Sequence, residues 1–146
     1  MKAITKRTAA EELEVLCNKN RGIITPALVV DYAKDPATNL HSHFTWDDTE
    51  AAQKWRLEEA AQLIRVCCRY LGENDNRKKV RTYVSLGTDR GTGIYRALVD
   101  VLQDESMKAQ MLEDAKAELN SFKVKYGVLL KVELADILAA IDRIDI

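Results

Sequence analysis

The side chains with the most chemical capacity lie close together. His41 and His43 stand in the segment His41-Ser42-His43-Phe44-Thr45-Trp46-Asp47-Asp48. Two imidazoles and two carboxylates at this spacing could bind zinc or manganese and support a metal-dependent hydrolase. The signal is weak, because these are the only two histidines in the chain. Thiolate ligands would have to come from Cys17 or from Cys67 and Cys68, at positions with a buried helical pattern. A Cys-His or Ser-His-Asp arrangement is formally possible; Cys17 near His41 is the only thiol candidate, and nothing in the sequence gives Cys17 an electropositive setting. A simpler reading places Asp47 or Asp48 at a helix start, where carboxylates accept amide hydrogen bonds and meet the positive dipole end. The pair Glu58-Glu59 reads as solvated helix surface. No catalytic residue, metal ligand or cofactor is assigned, and the expectation is a non-enzymatic protein.

A second group carries charge. Arg69, Arg77, Lys78, Lys79, Arg81 and Arg90 face only Glu73, Asp75 and Asp89, and Arg65 joins them as a seventh candidate. The whole chain has a net charge of −1, so the positive excess is local. Residues 1–94 hold 15 basic and 13 acidic side chains, and residues 95–146 hold 7 and 10. These seven cations are candidate contacts to DNA phosphates. The plainer alternative is a basic edge strand, where Lys and Arg deter aggregation. Gly87, Gly91 and Gly93 in Gly87-Thr88-Asp89-Arg90-Gly91-Thr92-Gly93 fit neither the P-loop nor the dinucleotide-binding spacing. A loop with Thr88, Arg90 and Thr92 before a helix at Ile94 could still hold one phosphate. A tight strand-to-helix turn explains the same residues more simply.

Helices must position these groups. Thr8-Ala9-Ala10-Glu11 fits a capping box, followed by an apolar stripe of Ala10, Leu13, Leu16 and Cys17 and a stop at Asn20-Arg21-Gly22. Thr25-Pro26 opens a second helix with Leu28, Val29, Tyr32 and Ala33 inward, and Asp35-Pro36 ends it. Leu40, Phe44 and Trp46 are too apolar for a free loop and pin residues 39–46 onto the helices. A third helix is expected to run to about Leu71, burying Leu57, Ala60, Ala61, Ile64, Cys67, Cys68 and Leu71. Lys79 to Leu86 is the one good strand candidate, and it needs a partner, either Gly22-Ile23-Ile24 or another subunit. From Ile94 the pattern is helical: a short helix to Leu102, then a long one capped by Asp104 with Met107, Met111, Leu112, Ala115, Leu119, Phe122 and Tyr126 on one face. Gly127 is expected just past its end, before a last helix with Leu130, Leu134, Ile137, Ile141 and Ile144 inward.

The totals set the frame. A chain of 146 residues, 47% apolar and 31% charged, is one domain with at most a helical appendage. No apolar run approaches the roughly 18 residues that span a bilayer. The basic N-terminus lacks the apolar core of a signal peptide. Three cysteines without a C-x-x-C pair suit buried thiols in a reducing cytoplasm.

The segment from Ile24 to Arg65 resembles the start of a family of small proteins encoded in bacteriophages and prophages. The matching residues are Thr25-Pro26, Asp35-Pro36, Leu40-His41, Phe44, Trp46-Asp47-Asp48, Ala51-Ala52 and Arg56. The likeness continues through residues 83–90, Tyr95-Arg96, Asp114-Ala115, Glu118-Leu119, Phe122 and Lys125-Tyr126. It departs in the glycine loop and in a more aliphatic last helix. The resemblance implies a phage protein made in the bacterial host cytoplasm, and it transfers no catalytic residue.

The combined expectation is a mainly α protein. Residues 1–93 form a helix-turn-helix-like or winged-helix-like head with a minor β element, and residues 94–146 form an antiparallel helical hairpin serving packing or oligomerisation. The expected function is a homo-oligomeric DNA-binding accessory or regulatory protein. Its supporting helix would be the second and its recognition helix the third, although about a dozen residues separate them where 3–4 are usual. The alternatives are an adaptor that binds a host or virion protein without DNA, and the hydrolase centred on His41, His43, Asp47 and Asp48.

Overall fold

A computed structural model describes residues 7–46, 49–132 and 134–144. It is mainly α-helical with a minor antiparallel β component. The chain divides into two compact units, Met1–Gln103 and Asp104–Ile146.

The first unit begins with α1, Ala9–Lys19, and its capping box is formed: Thr8 N–H donates to Glu11 Oε2 at 2.6 Å, and Glu11 N–H donates to Thr8 Oγ1 at 3.3 Å. Leu13, Leu16 and Cys17 are buried. Ala10 is exposed and Ala9 packs in its stead. Arg21 and Gly22 then turn the chain with φ of 57° and 79°. The positive φ favours glycine at 22, and a Cβ there would also displace the Asp100 carboxylate. Strand β1, Ile23–Ile24, leads into α2, Pro26–Ala33, where Thr25 Oγ1 accepts the Leu28 amide at 3.2 Å. A 3-10 turn, Leu40–His43, follows. Leu40 and Phe44 are buried, so this segment is pinned to the core as the sequence implied.

Helix α3 spans Glu50–Val66 and packs on α2. Its cap is Thr49, whose hydroxyl accepts the Ala52 amide at 3.2 Å, rather than Asp47 or Asp48, which lie outside the described residues. The helix stops five residues short of the expected Leu71. Cys67 takes extended angles (φ −65°, ψ 120°) and residues 68–71 become strand β2, Cys68–Leu71. Cys68 is therefore exposed and Cys67 half-buried, and Leu57, within α3 itself, is exposed as well, against the expectation that all three are core. The reason is pairing: β2 finds an antiparallel partner in β3, Lys78–Arg81, which satisfies backbone groups that a longer helix would otherwise have served.

The expected strand at 79–86 is split. Its first part is β3, and its second is β4, Tyr83–Val84, in another sheet. The helix expected from Ile94 is also corrected. Tyr95–Ala97 is strand β5, and α4 begins only at Leu98 and runs to Gln103. β5 lies between β1 and β4, pairing Ile24 with Tyr95 and Val84 with Arg96. The core of this unit joins Leu13, Leu16 and Cys17 to Ile24, Val29, Leu40, Ile64 and Tyr83.

In the second unit Asp104 caps α5, Glu105–Val132, by accepting the Met107 amide at 2.9 Å. Tyr126 departs from helical angles (φ −111°, ψ 16°) and the helix resumes. Gly127 thus follows a break at Tyr126, where the sequence placed the end of one helix and the start of the next, but its φ is not positive, so it does not form the left-handed cap expected of it. Any residue adopts the angles found at Tyr126, so the irregularity needs no glycine. Helix α6 is short, Ala135–Asp142, and folds back on α5. Lys123 ion-pairs with Asp142 across the two helices, and Ile141 is buried. Ile137 and Ile144, expected in the same stripe, are exposed.

Candidate nucleic-acid interface

The β2–β3 hairpin gathers most of the candidate cations. Gly72 has φ of 105°, and a Cβ there would meet the Asn76 carbonyl oxygen at 2.6 Å, so only glycine lets the chain turn this tightly. A 3-10 turn at residues 74–76 completes the reversal. The register pairs Cys68 with Arg81, Arg69 with Val80, Tyr70 with Lys79 and Leu71 with Lys78. Opposed residues share a face and successive residues alternate. One face therefore presents Cys68, Tyr70, Lys79 and Arg81, all exposed. The other carries Arg69, Leu71 and Val80, half-buried, with Lys78. Arg77 sets its guanidinium over the Tyr70 ring, 5.2 Å from the centroid.

Five of the seven predicted cations, Arg69, Arg77, Lys78, Lys79 and Arg81, thus share this hairpin. Among the described residues no carboxylate lies within ion-pairing distance of any of these five. The other two stand elsewhere. Arg65 is on α3, where it pairs with Glu58 at 2.5 Å. Arg90 is exposed on the connection between β4 and β5. Tyr70, which sequence reasoning placed inside a helix, is the residue it missed. The signal that could have found it is the pair of short β-prone runs on either side of Gly72 to Asn76.

The glycine loop does not form a phosphate cradle. No helix begins at Ile94, so no helix N-terminus faces the loop. Asp89 is buried there and takes a two-pronged contact from Arg96, Nε to Oδ2 at 2.7 Å and Nη2 to Oδ1 at 3.0 Å. The Arg96 guanidinium holds the Asp89 carboxyl below its ordinary range.

The histidine segment is a packing joint. His41 Nδ1 lies 2.8 Å from the Ala33 carbonyl, and its ring stacks on Trp46 with centroids 4.8 Å apart. Trp46 Nε1 donates to the His41 carbonyl at 2.9 Å. On α3, Arg56 is 7% exposed, donates to the Thr45 carbonyl at 2.9 Å, and sets its guanidinium 5.2 Å from the Trp46 ring. Among the described residues no three His, Cys, Asp or Glu side chains converge on a metal position. Cys17 is buried, and that burial, with the charge of Asp100, pushes its thiol up to about 11. At neutral pH it is a protonated core residue and a poor nucleophile.

The outer side of α3 has a different character. Trp55, Leu57 and Val66 are exposed beside Glu50 and Glu58, and Trp55 Nε1 donates to Glu59 Oε1 at 2.9 Å. A groove of about 330 Å³ runs there, lined by His43, Trp55, Glu58, Glu59, Leu63 and Val66. This surface is largely apolar, with the Glu58 carboxylate paired to Arg65 of the same helix. No protein-family model, curated protein or solved structure matches the chain. Among the described residues no helix is long and apolar enough to cross a membrane.

Proposed function

We propose that this is a non-enzymatic nucleic-acid-binding accessory protein that contacts DNA phosphates through the β2–β3 hairpin. The observation that carries the reading is the set of five cations on one hairpin, four of them exposed, with no carboxylate among the described residues within ion-pairing distance of any of them. Unpaired surface cations keep their full attraction for a polyanion and release its counterions on binding. The phage origin and bacterial cytoplasm implied by the sequence resemblance belong to the same proposal, as does self-association.

Gel filtration with light scattering, run with and without a short duplex at low and moderate salt, tests it. The expected result is a defined oligomer that shifts onto DNA and is released by added salt. The combined variant Lys78→Glu, Lys79→Glu, Arg81→Glu should abolish the shift while keeping its circular dichroism and melting temperature, since all three side chains are exposed. A wild-type protein that ignores DNA at low salt would sink the reading.

A second reading rests on a specific observation, the apolar groove beside Trp55 and Val66. It supports an adaptor that binds a host or virion protein. In that case Trp55→Glu, rather than the hairpin variant, should abolish partner capture.

A further inference from the structure

We infer that the hairpin is built for single-stranded DNA, with Tyr70 as the platform on which one base stacks. This rests on the proposed phosphate contacts and narrows the ligand they serve. Tyr70 is 57% exposed in the middle of the basic face. Deterrence of edge pairing accounts for Lys and Arg on a hairpin, but it does not account for an exposed aromatic ring among them. A binder of duplex phosphates has equally little use for the ring, because duplex bases are stacked on one another and show a protein only their edges. Bases of a single strand are free to stack on an aromatic side chain, and that contact tolerates any sequence.

The surroundings of the ring suit this role. Along its own strand the same-face positions are Cys68 and Gly72, both small, so no bulky neighbour closes the ring's flanks. Arg77 covers one side by its cation–π contact, which holds the ring in place and adds positive charge beside it. Lys79 is directly opposite Tyr70, and Arg81 follows on the same face two residues on, about 7 Å along the strand. A base on Tyr70 would thus have its neighbouring backbone phosphates beside Lys79 and Arg81. All four residues of this face, Cys68, Tyr70, Lys79 and Arg81, are exposed, so the face is open along its length.

Fluorescence anisotropy on the full-length protein tests the inference, using a labelled single-stranded DNA oligonucleotide and a duplex of the same length. Wild type should prefer the single strand. Tyr70→Ala should weaken single-strand binding about tenfold, within the range for loss of one stacked base, and leave duplex binding and the salt slope unchanged. Tyr70→Phe should retain wild-type affinity, and Tyr70→Trp should bind with quenching of the added indole. Equal affinity for both DNA forms, with Tyr70→Ala neutral, overturns the stacking role and leaves the phosphate contacts standing. A Tyr70→Ala loss equal for both forms overturns it too, because the ring would then act only through hairpin structure. Failure of wild type to bind either form at low salt overturns the parent reading itself.

Discussion

The Glu12 carboxylate on α1 accepts the backbone amide of Leu40, 28 residues away, at 2.9 Å, and the amide of Asn39 at the same distance. No side chain of Asn39 caps the 3-10 turn that begins there, so a residue from a distant helix performs the capping. Glu12 is 5% exposed, and a carboxylate buried to that degree persists only where such donors replace water. Glu12→Ala should cost about 3 kcal/mol, since it removes two charge-assisted bonds and orphans two amides. Glu12→Gln should lose less, because one acceptor oxygen remains. Urea denaturation checks this: the midpoint should fall in that order with an unchanged slope.

Asp89 and Arg96 set a second expectation, in the acid range. The guanidinium lowers the Asp89 carboxyl below its ordinary value of 3.8. A lowered carboxylate stabilises the fold fully above the unfolded value, and the contribution is lost as pH falls through the folded one. Wild type should therefore lose this increment only below about pH 4. Asp89→Asn should be less stable by about 2 kcal/mol at neutral pH and should show a shallower acid limb in melting experiments. An unchanged acid limb would show that the pair contributes nothing.

The three thiols should separate by reactivity. Cys68 is exposed on the hairpin, Cys67 is half-buried, and Cys17 is buried with its thiol raised to about 11. At neutral pH a disulfide reagent should modify Cys68 rapidly and spare Cys17 until the protein unfolds. Cys68→Ser should remove the fast phase. A fast phase that survives it would contradict the placement of β2.

Arg56 supplies a fourth test. It is buried between the Thr45 carbonyl and the Trp46 ring, and the ring is stacked on His41. Arg56→Met keeps much of the volume but leaves the Thr45 carbonyl without this donor, and should cost about 2 kcal/mol. Trp46→Ala should cost a similar amount through lost stacking and burial. Because the two share one contact, the double variant should cost less than the sum, and thermal melts of the four proteins measure the difference.

The helix starts were legible because they are local. Thr8 with Glu11, Thr25 with Leu28, and Asp104 with Met107 each join residues three apart, so both partners lie within one short stretch of sequence. Four of the five basic residues of the hairpin were legible as a cluster for the same reason, since Arg77, Lys78, Lys79 and Arg81 fall within five positions. The cap of α3 was misplaced by only one or two residues, because Asp and Thr are both favoured N-caps and three of them stand in a row at 47–49.

What the sequence determined by itself is therefore the mainly helical class, three of its caps and the neighbourhood of the positive charge. The tertiary structure decided where α3 stops, that Tyr95–Ala97 is a strand, and that Tyr70 faces solvent among cations. Each of those outcomes depends on a partner several to many residues away: Lys79 for Tyr70, and Ile24 and Val84 for β5. Backbone pairing with such partners outweighs local helix preference, since a few tenths of a kcal/mol per residue of propensity is small beside a satisfied strand ladder.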